Sequence, residues 1–396
     1  MKIRLVIFSS ILLIAQVFGG SYFHSRVNSI GVRTYTVSVR GLGMGNTGLA
    51  ATDSVGLNHY MPAQWRFISD TRASFSMSYL RFQSEVNNLS FTTSTADFGG
   101  VTIAIPIKKR TWIFGLSLKP YTVVDFKATQ KITSEGKEFT QITQFNGSVS
   151  EAKVNLTWAP SRVLGLAISA NYYFGAIDDR YDFQFNDANY INSTHVIEYQ
   201  ITGAGVGISG MVQPLTALTL AGFVDFQPTT KMSVKYNSLI YTPAERERNF
   251  NTFPMQLGLG SQLKLNNRWQ LAADYTYQDW AKTVKQNSGE FEKWYQMGMG
   301  IERSASKKRG TGLLNHIDWR LGFSLMNMGY QFNNHSVQEK ALHFGFGIPF
   351  SRMRNRFDVA FLGGIRGDKS KNLAEEWFFK AYISISMGER WFQSFR

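Results

Sequence analysis

The sequence predicts an all-β fold, a transmembrane antiparallel β-barrel of about 14 strands with an N-terminal plug segment inside its lumen. Aromatic residues make up 14% of the 396 residues, glycine occurs 35 times, and only 18% of the residues are charged. Soluble domains are about a quarter charged. After the apolar start, no stretch approaches the ~18 consecutive apolar residues of a membrane-spanning helix. From Thr71 onward apolar and polar residues alternate, which is typical of strands in an outer-membrane barrel.

The beginning of the chain has the three parts of an export signal. Residues 1–4 are basic, residues 5–18 are apolar, and small residues follow in Val17-Phe18-Gly19 or Gly19-Gly20-Ser21. Signal peptidases cleave after such small residues. We therefore predict a cleaved signal peptide over residues 1–20, and we place the mature protein in the outer membrane of a Gram-negative-type bacterium.

Residues 41–65 (GLGMGNTGLAATDSVGLNHYMPAQW) combine small residues, a helix-like apolar pattern and a proline turn. If the strands close a wall, this segment is the one available to go inside it. We predict a plug over residues 21–70 and a barrel over residues 71–396. Asp53 is a lone carboxylate among small residues, so it needs a partner such as Lys153 or Arg320. The candidate ligand or plug residues are Gly43, Gly45, Gly48, Asp53 and Pro62.

Residues 43–48 also satisfy the dinucleotide fingerprint GxGxxG, and Asp70 lies about twenty residues further on. That fingerprint requires a βαβ unit around it. No alternating pattern of strands and helices follows here, and an exported barrel has no supply of dinucleotides. We expect these glycines to permit close backbone packing, and we expect no cofactor.

The predicted strands have one apolar face and one face of small neutral residues. In residues 164–172, for example, Leu164, Leu166 and Ile168 alternate with Gly, Ala and Ser. A soluble β-sandwich also alternates, but its outer face is rich in Lys, Glu and Thr. Gly, Ser, Asn and Gln suit a crowded lumen better, and the sandwich stays open as the alternative. The strands are predicted near 72–84, 97–107, 111–127, 139–158, 161–184, 195–212, 215–235, 251–264, 267–284, 290–303, 315–331, 337–349, 355–367 and 376–389.

Short and long connections alternate along the chain. The even-numbered connections, such as residues 108–110 and 159–161, are short, as periplasmic turns of barrels are. The odd-numbered ones, such as 85–96, 128–138, 185–194 and 236–250, are longer and are expected to face outside. Bases gather on the periplasmic side, at Lys108, Lys109, Arg110, Arg162, Arg268, Arg303, Lys307, Lys308, Arg309, Arg352, Arg354 and Arg356.

The net charge of +14 favours negatively charged binding partners. For an exported barrel the expected partners are outer-membrane lipid and lipopolysaccharide phosphates, and not nucleic acid. The basic turns have two interpretations: solubility and orientation of the barrel, or a docking face for acidic periplasmic or secretion-system proteins.

The alternation also places charges on the inward face of the wall. A charge that faces lipid at mid-depth costs about 2–4 kcal/mol for Arg or Lys, so such residues should point inward. They either pair with each other and with the plug, or some of them line a permeation path or ligand site. The inward charges are Lys153, Asp225, Asp274, Asp318, Arg320 and Asp358.

No feature of the sequence indicates catalysis or metal binding. The chain has no cysteine, which excludes disulfides and thiolate metal sites. Its six histidines are scattered, and no HExxH spacing occurs. We expect no catalytic residues, no metal site and no enzymatic activity.

Two stretches resemble a known family. Residues 41–50 (GLGMGNTGLA), followed by Asp53 and by Tyr60-Met61-Pro62-Ala63, resemble the N-terminal hatch signature of FadL-type outer-membrane transporters. In that signature an Asn-Pro-Ala turn is typical, and this chain has Met61 in place of the Asn. Residues 271–280 (LAADYTYQDW) resemble the mid-barrel strand of the same family. Residues 61–70 resemble the related PorV-like barrels about as well.

The resemblance implies two functions. A FadL-type barrel is an outer-membrane channel for passive uptake of hydrophobic small molecules, long-chain fatty acid-like, through a plugged lumen. A PorV-like barrel is an outer-membrane component of a protein secretion or assembly system without a small-molecule substrate. The outer loops of this chain are modest and polar, and no long apolar lid is present, so both functions stay open.

Overall fold

Fourteen long strands form a closed antiparallel wall, which confirms the predicted barrel. The computed structural model describes residues 17–26, 30–86, 89–134, 137–238, 244–248, 253–282, 291–306, 312–351 and 354–389. Consecutive wall strands pair with each other, and the last pairs with the first from Ala374↔Val86 to Glu389↔Thr71. The wall strands are β3 (Thr71–Val86), β4 (Leu89–Lys108), β5 (Trp112–Ser134), β6 (Lys137–Trp158), β7 (Leu164–Phe185), β8 (Ser193–Val212), β9 (Leu218–Ser238), β11 (Gln256–Lys264), β12 (Trp269–Asp279), β13 (Phe291–Arg303), β14 (Asp318–Phe332), β15 (His335–Phe350), β16 (Asn355–Asp368) and β17 (Ala374–Glu389).

The remaining elements are short. Strands β1 (Val17–Gly20) and β2 (Val32–Arg33) pair with β5, and β10 (Ala244–Arg248) pairs with β9. The helical turns are α1 (Val39–Leu42), α2 (Lys369–Asn372) and the 3-10 turns Tyr22–Arg26, Pro62–Phe67, Trp280–Lys282 and Leu313–His316. In the described part of the chain, no helix is long and apolar enough to cross a membrane.

The alternation of the sequence becomes the two faces of the wall. On β7, Ile168 and Tyr172 are 60% and 52% exposed and point outward, whereas Ser169 and Asn171 are buried in the lumen. Every backbone N–H and C=O within a bilayer needs an internal partner, and a closed ladder supplies one without an edge. The outward apolar band and the inward small polar face exclude the sandwich.

The outer connections are shorter than the sequence predicts. The predicted loops 85–96 and 128–138 are largely strand, because β3 and β4 pair up to Val86↔Leu89 and β5 and β6 pair up to Ser134↔Lys137. The predicted loop 236–250 contains β10. Where both faces of a strand meet water, the apolar alternation fades although the ladder of backbone hydrogen bonds continues.

Residues 30–70, which we call the luminal segment, lie inside the barrel. The largest cluster of buried apolar side chains joins Tyr35, Leu49 and Tyr60 of this segment to inward residues of the wall such as Tyr121 and Phe223. The segment begins beside the middle of β5 and ends where β3 begins, at the end of the barrel with the short turns, which we expect to face the periplasm. Residues 1–16 of the predicted signal peptide lie outside the described residues, and residues 17–20 form β1.

The outward face predicts a matched pair of variants. Ile168→Arg places a guanidinium on the lipid face of β7, whereas Ile191→Arg places it on an outer connection where the side chain is already 87% exposed. We expect the first variant to lose about 2–4 kcal/mol of stability in lipid and the second to lose almost nothing. Equilibrium unfolding from phospholipid vesicles measures both, and equal losses would contradict this orientation of β7.

Candidate functional site

Glycines of the luminal segment lie directly against glycines of the wall. A Cβ built on Gly322 would lie 2.8 Å from Gly45 Cα, and one built on Gly345 would lie 2.8 Å from Gly43 Cα. A Cβ on Gly300 would lie 2.6 Å from Met44 Cα. These distances leave no room for any side chain, so backbone packs on backbone across β13, β14 and β15.

The next turn of the luminal segment is held by Asp274 of β12. The backbone N–H groups of Gly48 and Leu49 donate to Asp274 Oδ2 at 2.6 and 2.8 Å. Gly48 has φ +129° and Gly45 has φ +76°, backbone conformations that residues with a side chain rarely adopt. The glycines of the GxGxxG pattern therefore allow the backbone to take this path and to donate two hydrogen bonds to a carboxylate of the wall.

Seven charged residues form a buried lattice near the periplasmic end, which we call the ion-pair network. Arg40 of α1 binds both carboxylate oxygens of Glu302, at 2.8 and 2.9 Å, and lies 3.1 Å from Asp53. Arg356 contacts Asp53 at 2.6 Å. Bidentate guanidinium–carboxylate pairs of this kind fix both distance and orientation. The network consists of Arg40, Asp53, Glu302, Asp318, Arg320, Arg356 and Asp358.

Asp53 is therefore paired, but not with the expected residues. Burial alone would raise the pKa of Asp53, yet Arg356 and Arg40 hold it well below its usual range, so the side chain is a carboxylate. Arg320 instead binds Glu302 and Asp358, each at 2.7 Å. The expectation of Lys153 or Arg320 as its partner was wrong, because Arg356 belongs to the inward face of β16 and not to the turn before it.

A second buried cluster lies higher in the lumen. Lys153 of β6 pairs with Asp225 of β9 at 2.9 Å. Glu151 accepts a hydrogen bond from Tyr173 at 2.8 Å and contacts His59 Nε2 at 2.8 Å. Burial lowers the pKa of His59 to about 3 despite Glu151, so the imidazole is neutral at neutral pH.

The wall has a seam between β4 and β5. These strands pair only from Val101↔Leu118 to Lys108↔Trp112, and beyond Leu118 the edge of β5 pairs with β2 and β1 instead. Local irregularities in both strands lie where the two strands separate. Gly100 has φ +138°, and Pro120 lacks an N–H and lies at a register shift between β5 and β6. We call this interval, residues 89–100 facing 119–134, the seam.

A cavity of about 150 Å³ lies between the luminal segment and the seam. Apolar side chains such as Leu80, Phe98 and Met326 line it together with Thr95 and with charged side chains. The charged residues are Arg33, Asp97, Lys119, Asp125, Glu339, Arg366 and Lys380. Lys119 Nζ lies 3.7 Å from the centroid of the Tyr60 ring. The cavity therefore lies against an interval of the described wall in which two neighbouring wall strands do not pair with each other.

The predicted site residues fall into separate groups. Gly43, Gly45 and Gly48 contact the wall, and the Pro62 carbonyl accepts a hydrogen bond from Thr157 at 2.9 Å. Asp53, Asp318 and Arg320 belong to the ion-pair network, whereas Lys153 and Asp225 belong to the higher cluster and Asp274 holds the glycine turn. Sequence reasoning did not find Arg40, Glu302, Glu151 or His59. The pair Gly99-Gly100 and Pro120 could have indicated the seam.

Not all of the bases expected at the periplasmic turns are exposed. Arg356 is buried in the ion-pair network, and Arg303 and Arg268 donate to backbone oxygens of the 304–315 connection. Residues 307–309 and 352 lie outside the described residues. In the described part of the chain, no group of His, Asp and Glu side chains could hold a metal ion.

The fold matches several solved structures. The crystal structure of a Pseudomonas aeruginosa FadL homologue has a TM-score of 0.62 and 12% identity, covering 90% of this chain and 98% of that one. The P. putida toluene transporter TodX has a TM-score of 0.59 and 12% identity, covering 91% and 100%. The Ralstonia pickettii toluene transporter TbuX has a TM-score of 0.60 and 13% identity, covering 91% and 99%. At such identities the likeness establishes the FadL-type fold alone.

Sequence comparisons add one family. A family model described as BamG matches residues 1–396. No curated protein matches the sequence.

The glycine contact predicts strong intolerance of side chains at one position. Gly322→Val should displace the luminal segment and cost about 3 kcal/mol, because the added atoms meet the backbone of residues 44–45. Gly363→Val is the matched control, since a Cβ there has no atom within 4 Å. Unfolding curves of the two variants should separate; curves that coincide would contradict the contact.

The ion-pair network predicts the effect of removing its luminal carboxylate. Asp53→Ala leaves two buried guanidiniums with one anionic partner fewer, and should cost about 3 kcal/mol. The control is Asp187→Ala, in an exposed outer connection. The measurement is the midpoint of chemical unfolding, and a shift no larger than that of the control would show that Asp53 does not secure the segment.

His59 predicts an acid-dependent loss of stability. Its pKa is lowered in the folded protein, so below pH ~6.5 the unfolded chain binds the extra proton and the folded state loses stability. Between pH 7 and pH 5 this contributes a loss of about 2 kcal/mol. Between pH 5 and pH 7 the free energy of unfolding of the wild type should therefore rise by about 2 kcal/mol more than that of His59→Gln. Identical pH dependence in both proteins would contradict the assignment of a neutral buried imidazole.

Proposed function

The chain belongs to the BamG family, and we propose that it is an outer-membrane channel for passive uptake of small hydrophobic molecules. The observation that carries the proposal is the cavity at the seam. A hydrophobic molecule in this cavity would lie between the luminal segment and an interval of the wall where β4 and β5 do not pair with each other, and where only the short strands β1 and β2 pair with β5. It could leave sideways into lipid without crossing the charged periplasmic half of the lumen.

The size of the cavity restricts the substrate. A dry apolar cavity of about 150 Å³ holds a molecule of the size of benzene. The volume here is about 150 Å³, so it accommodates a small aromatic or short aliphatic molecule. A long-chain fatty acid needs more space, which only movement of the luminal segment could provide. The names of the fold relatives TodX and TbuX, toluene transporters, are consistent with a small substrate.

Direct passage along the barrel axis is opposed by the packing of the lumen. The glycine contact and the ion-pair network fix the luminal segment to β12 through β16 along its periplasmic half. Moving it would separate paired charges in a medium of low dielectric constant, at a cost of several kcal/mol for each pair. We therefore infer a lateral route through the seam and a luminal segment that stays in place.

The second candidate is a PorV-like component of a secretion or assembly system with no substrate of its own. The same fixed luminal segment supports it, since a sealed barrel can present loops and turns to other proteins. The two candidates differ in what the purified barrel retains: a small hydrophobic molecule in the first case, a co-purifying protein in the second.

Filling the cavity tests the proposal. Thr95 of β4 lines the cavity, whereas Thr92 of the same strand is exposed. Mass spectrometry of barrels purified from outer membranes should find a retained small hydrophobic molecule in the wild type and in Thr92→Trp. Thr95→Trp should lose it, because the indole occupies the space. Retention by Thr95→Trp, or no retained molecule in the wild type together with a bound protein partner, would contradict uptake.

A further inference from the structure

The luminal segment does not fill the lumen evenly. The glycine contact and the ion-pair network hold it against β12 to β16. Past β16, a chamber of about 50 Å³ lies between this segment and the inward faces of β17, β3 and β4. Hydroxyl groups of these three strands line the chamber: Ser74, Ser76, Thr102, Ser384 and Ser386.

The chamber adjoins the cavity at one end. Thr36, Gly99 and Lys119 line both spaces. At the other end the chamber is lined by Gly56, which is half-buried and lies two residues after the exposed Ser54. The chamber therefore lies between the cavity and the end of the barrel with the short turns.

A buried acceptor of the luminal segment lies at the chamber. His59 is 5% exposed and lines the chamber, and its Nε2 contacts the Glu151 carboxylate at 2.8 Å. Because a carboxylate only accepts, the neutral imidazole carries its proton on Nε2 and a lone pair on Nδ1. Among the described residues, Nδ1 has no hydrogen-bond partner. A buried acceptor without a donor is unfavourable, so this atom indicates a donor that the protein does not supply.

The lining of the chamber suits a neutral hydroxyl compound. Serine and threonine hydroxyls both donate and accept, as the 3.1 Å contact between Ser74 Oγ and Ser386 Oγ illustrates. Arg356 also lines the chamber, but it is already paired with Asp53 and Asp358. One water needs about 10–15 Å³ of such a space, so about 50 Å³ takes a few waters or a small polyol in their place.

We propose that the chamber is a hydrated passage for small neutral polyols of the size of glycerol, connecting the cavity with the end of the barrel with the short turns. A hydroxyl of the solute donates to His59 Nδ1, and the wall hydroxyls exchange hydrogen bonds with the others. The luminal segment stays in place during passage. The passage uses a different side of the lumen from the seam, so it is independent of the proposed lateral route for hydrophobic molecules.

The test compares two positions on the inward face of β3. The chain has no cysteine, so a single introduced thiol reports one site. Ser76→Cys places the thiol in the chamber, whereas Leu80→Cys places it in the cavity. The folded barrel in lipid nanodiscs is treated with two methanethiosulfonates of similar length, 2-hydroxyethyl and propyl. The hydroxyethyl reagent should modify Ser76→Cys about tenfold faster than the propyl reagent, and the order should reverse at Leu80→Cys.

Two further cysteines set the scale. Thr92→Cys, exposed on β4, gives the intrinsic ratio of the two rates. Thr276→Cys lies on β12 under the luminal segment, where Thr276 is 1% exposed and donates to Tyr35 at 2.9 Å, and it should stay unmodified. The passage is overturned if Ser76→Cys is as unreactive as Thr276→Cys, or if it prefers the propyl reagent. Failure of the apolar cavity shows separately, as a missing propyl preference at Leu80→Cys.

Variants in the Ser76→Cys background test the hydrogen bonds. His59→Phe removes the acceptor and should reduce the preference for the hydroxyethyl reagent about fivefold. Ser384→Ala removes one of several hydroxyls, should reduce the preference less, and serves if His59→Phe does not fold. Folding is verified by the heat-dependent gel mobility of barrels. An unchanged preference in the folded variants would overturn recognition of the hydroxyl group by this lining.

Discussion

The rest of the structure depends on the contact between the backbone of residues 43–45 and the glycines of β13, β14 and β15. A fourteen-stranded wall encloses more space than inward side chains can fill, so a segment of main chain occupies the lumen. Main chain can approach a strand this closely only where both partners lack side chains. The glycines at Gly300, Gly322 and Gly345 thus fix where the luminal segment crosses the wall. Asp274 then receives the two N–H groups that this path turns toward β12.

Once the segment is so placed, the buried charges follow. Arg40 and Asp53 are placed against the inward faces of β13 and β16, where Arg40 pairs with Glu302 and Asp53 pairs with Arg356. A buried charge is tolerated only with a partner of opposite sign and further hydrogen bonds, and the ion-pair network supplies both. The luminal segment is thereby fixed in this half of the lumen, and the cavity of about 150 Å³ lies toward the seam, where β4 and β5 separate. The lateral route of the proposed function is a consequence of this division.

The wall and part of the lumen could be predicted from the sequence. Alternation with a period of two identified all fourteen wall strands, because each face of a strand meets a different medium. The glycine-rich inward faces indicated a close neighbour. The partners of Asp53 were missed because Arg356 lies two residues from a turn. So close to a turn, the alternation of inward and outward side chains does not tell whether a residue belongs to the strand or to the turn. The seam was missed because the register shift at Pro120 arises from pairing with β6, which a single strand does not reveal.

The central claim is that small hydrophobic molecules pass from the cavity through the seam while the luminal segment stays in place. The most direct measurement is uptake into vesicles that contain the purified barrel, comparing a monoaromatic hydrocarbon with a long-chain fatty acid. The account predicts accelerated uptake of the aromatic molecule, unchanged when a disulfide introduced into this cysteine-free chain ties the luminal segment to the wall. Uptake of the long-chain acid alone, or uptake abolished by the disulfide, would contradict it.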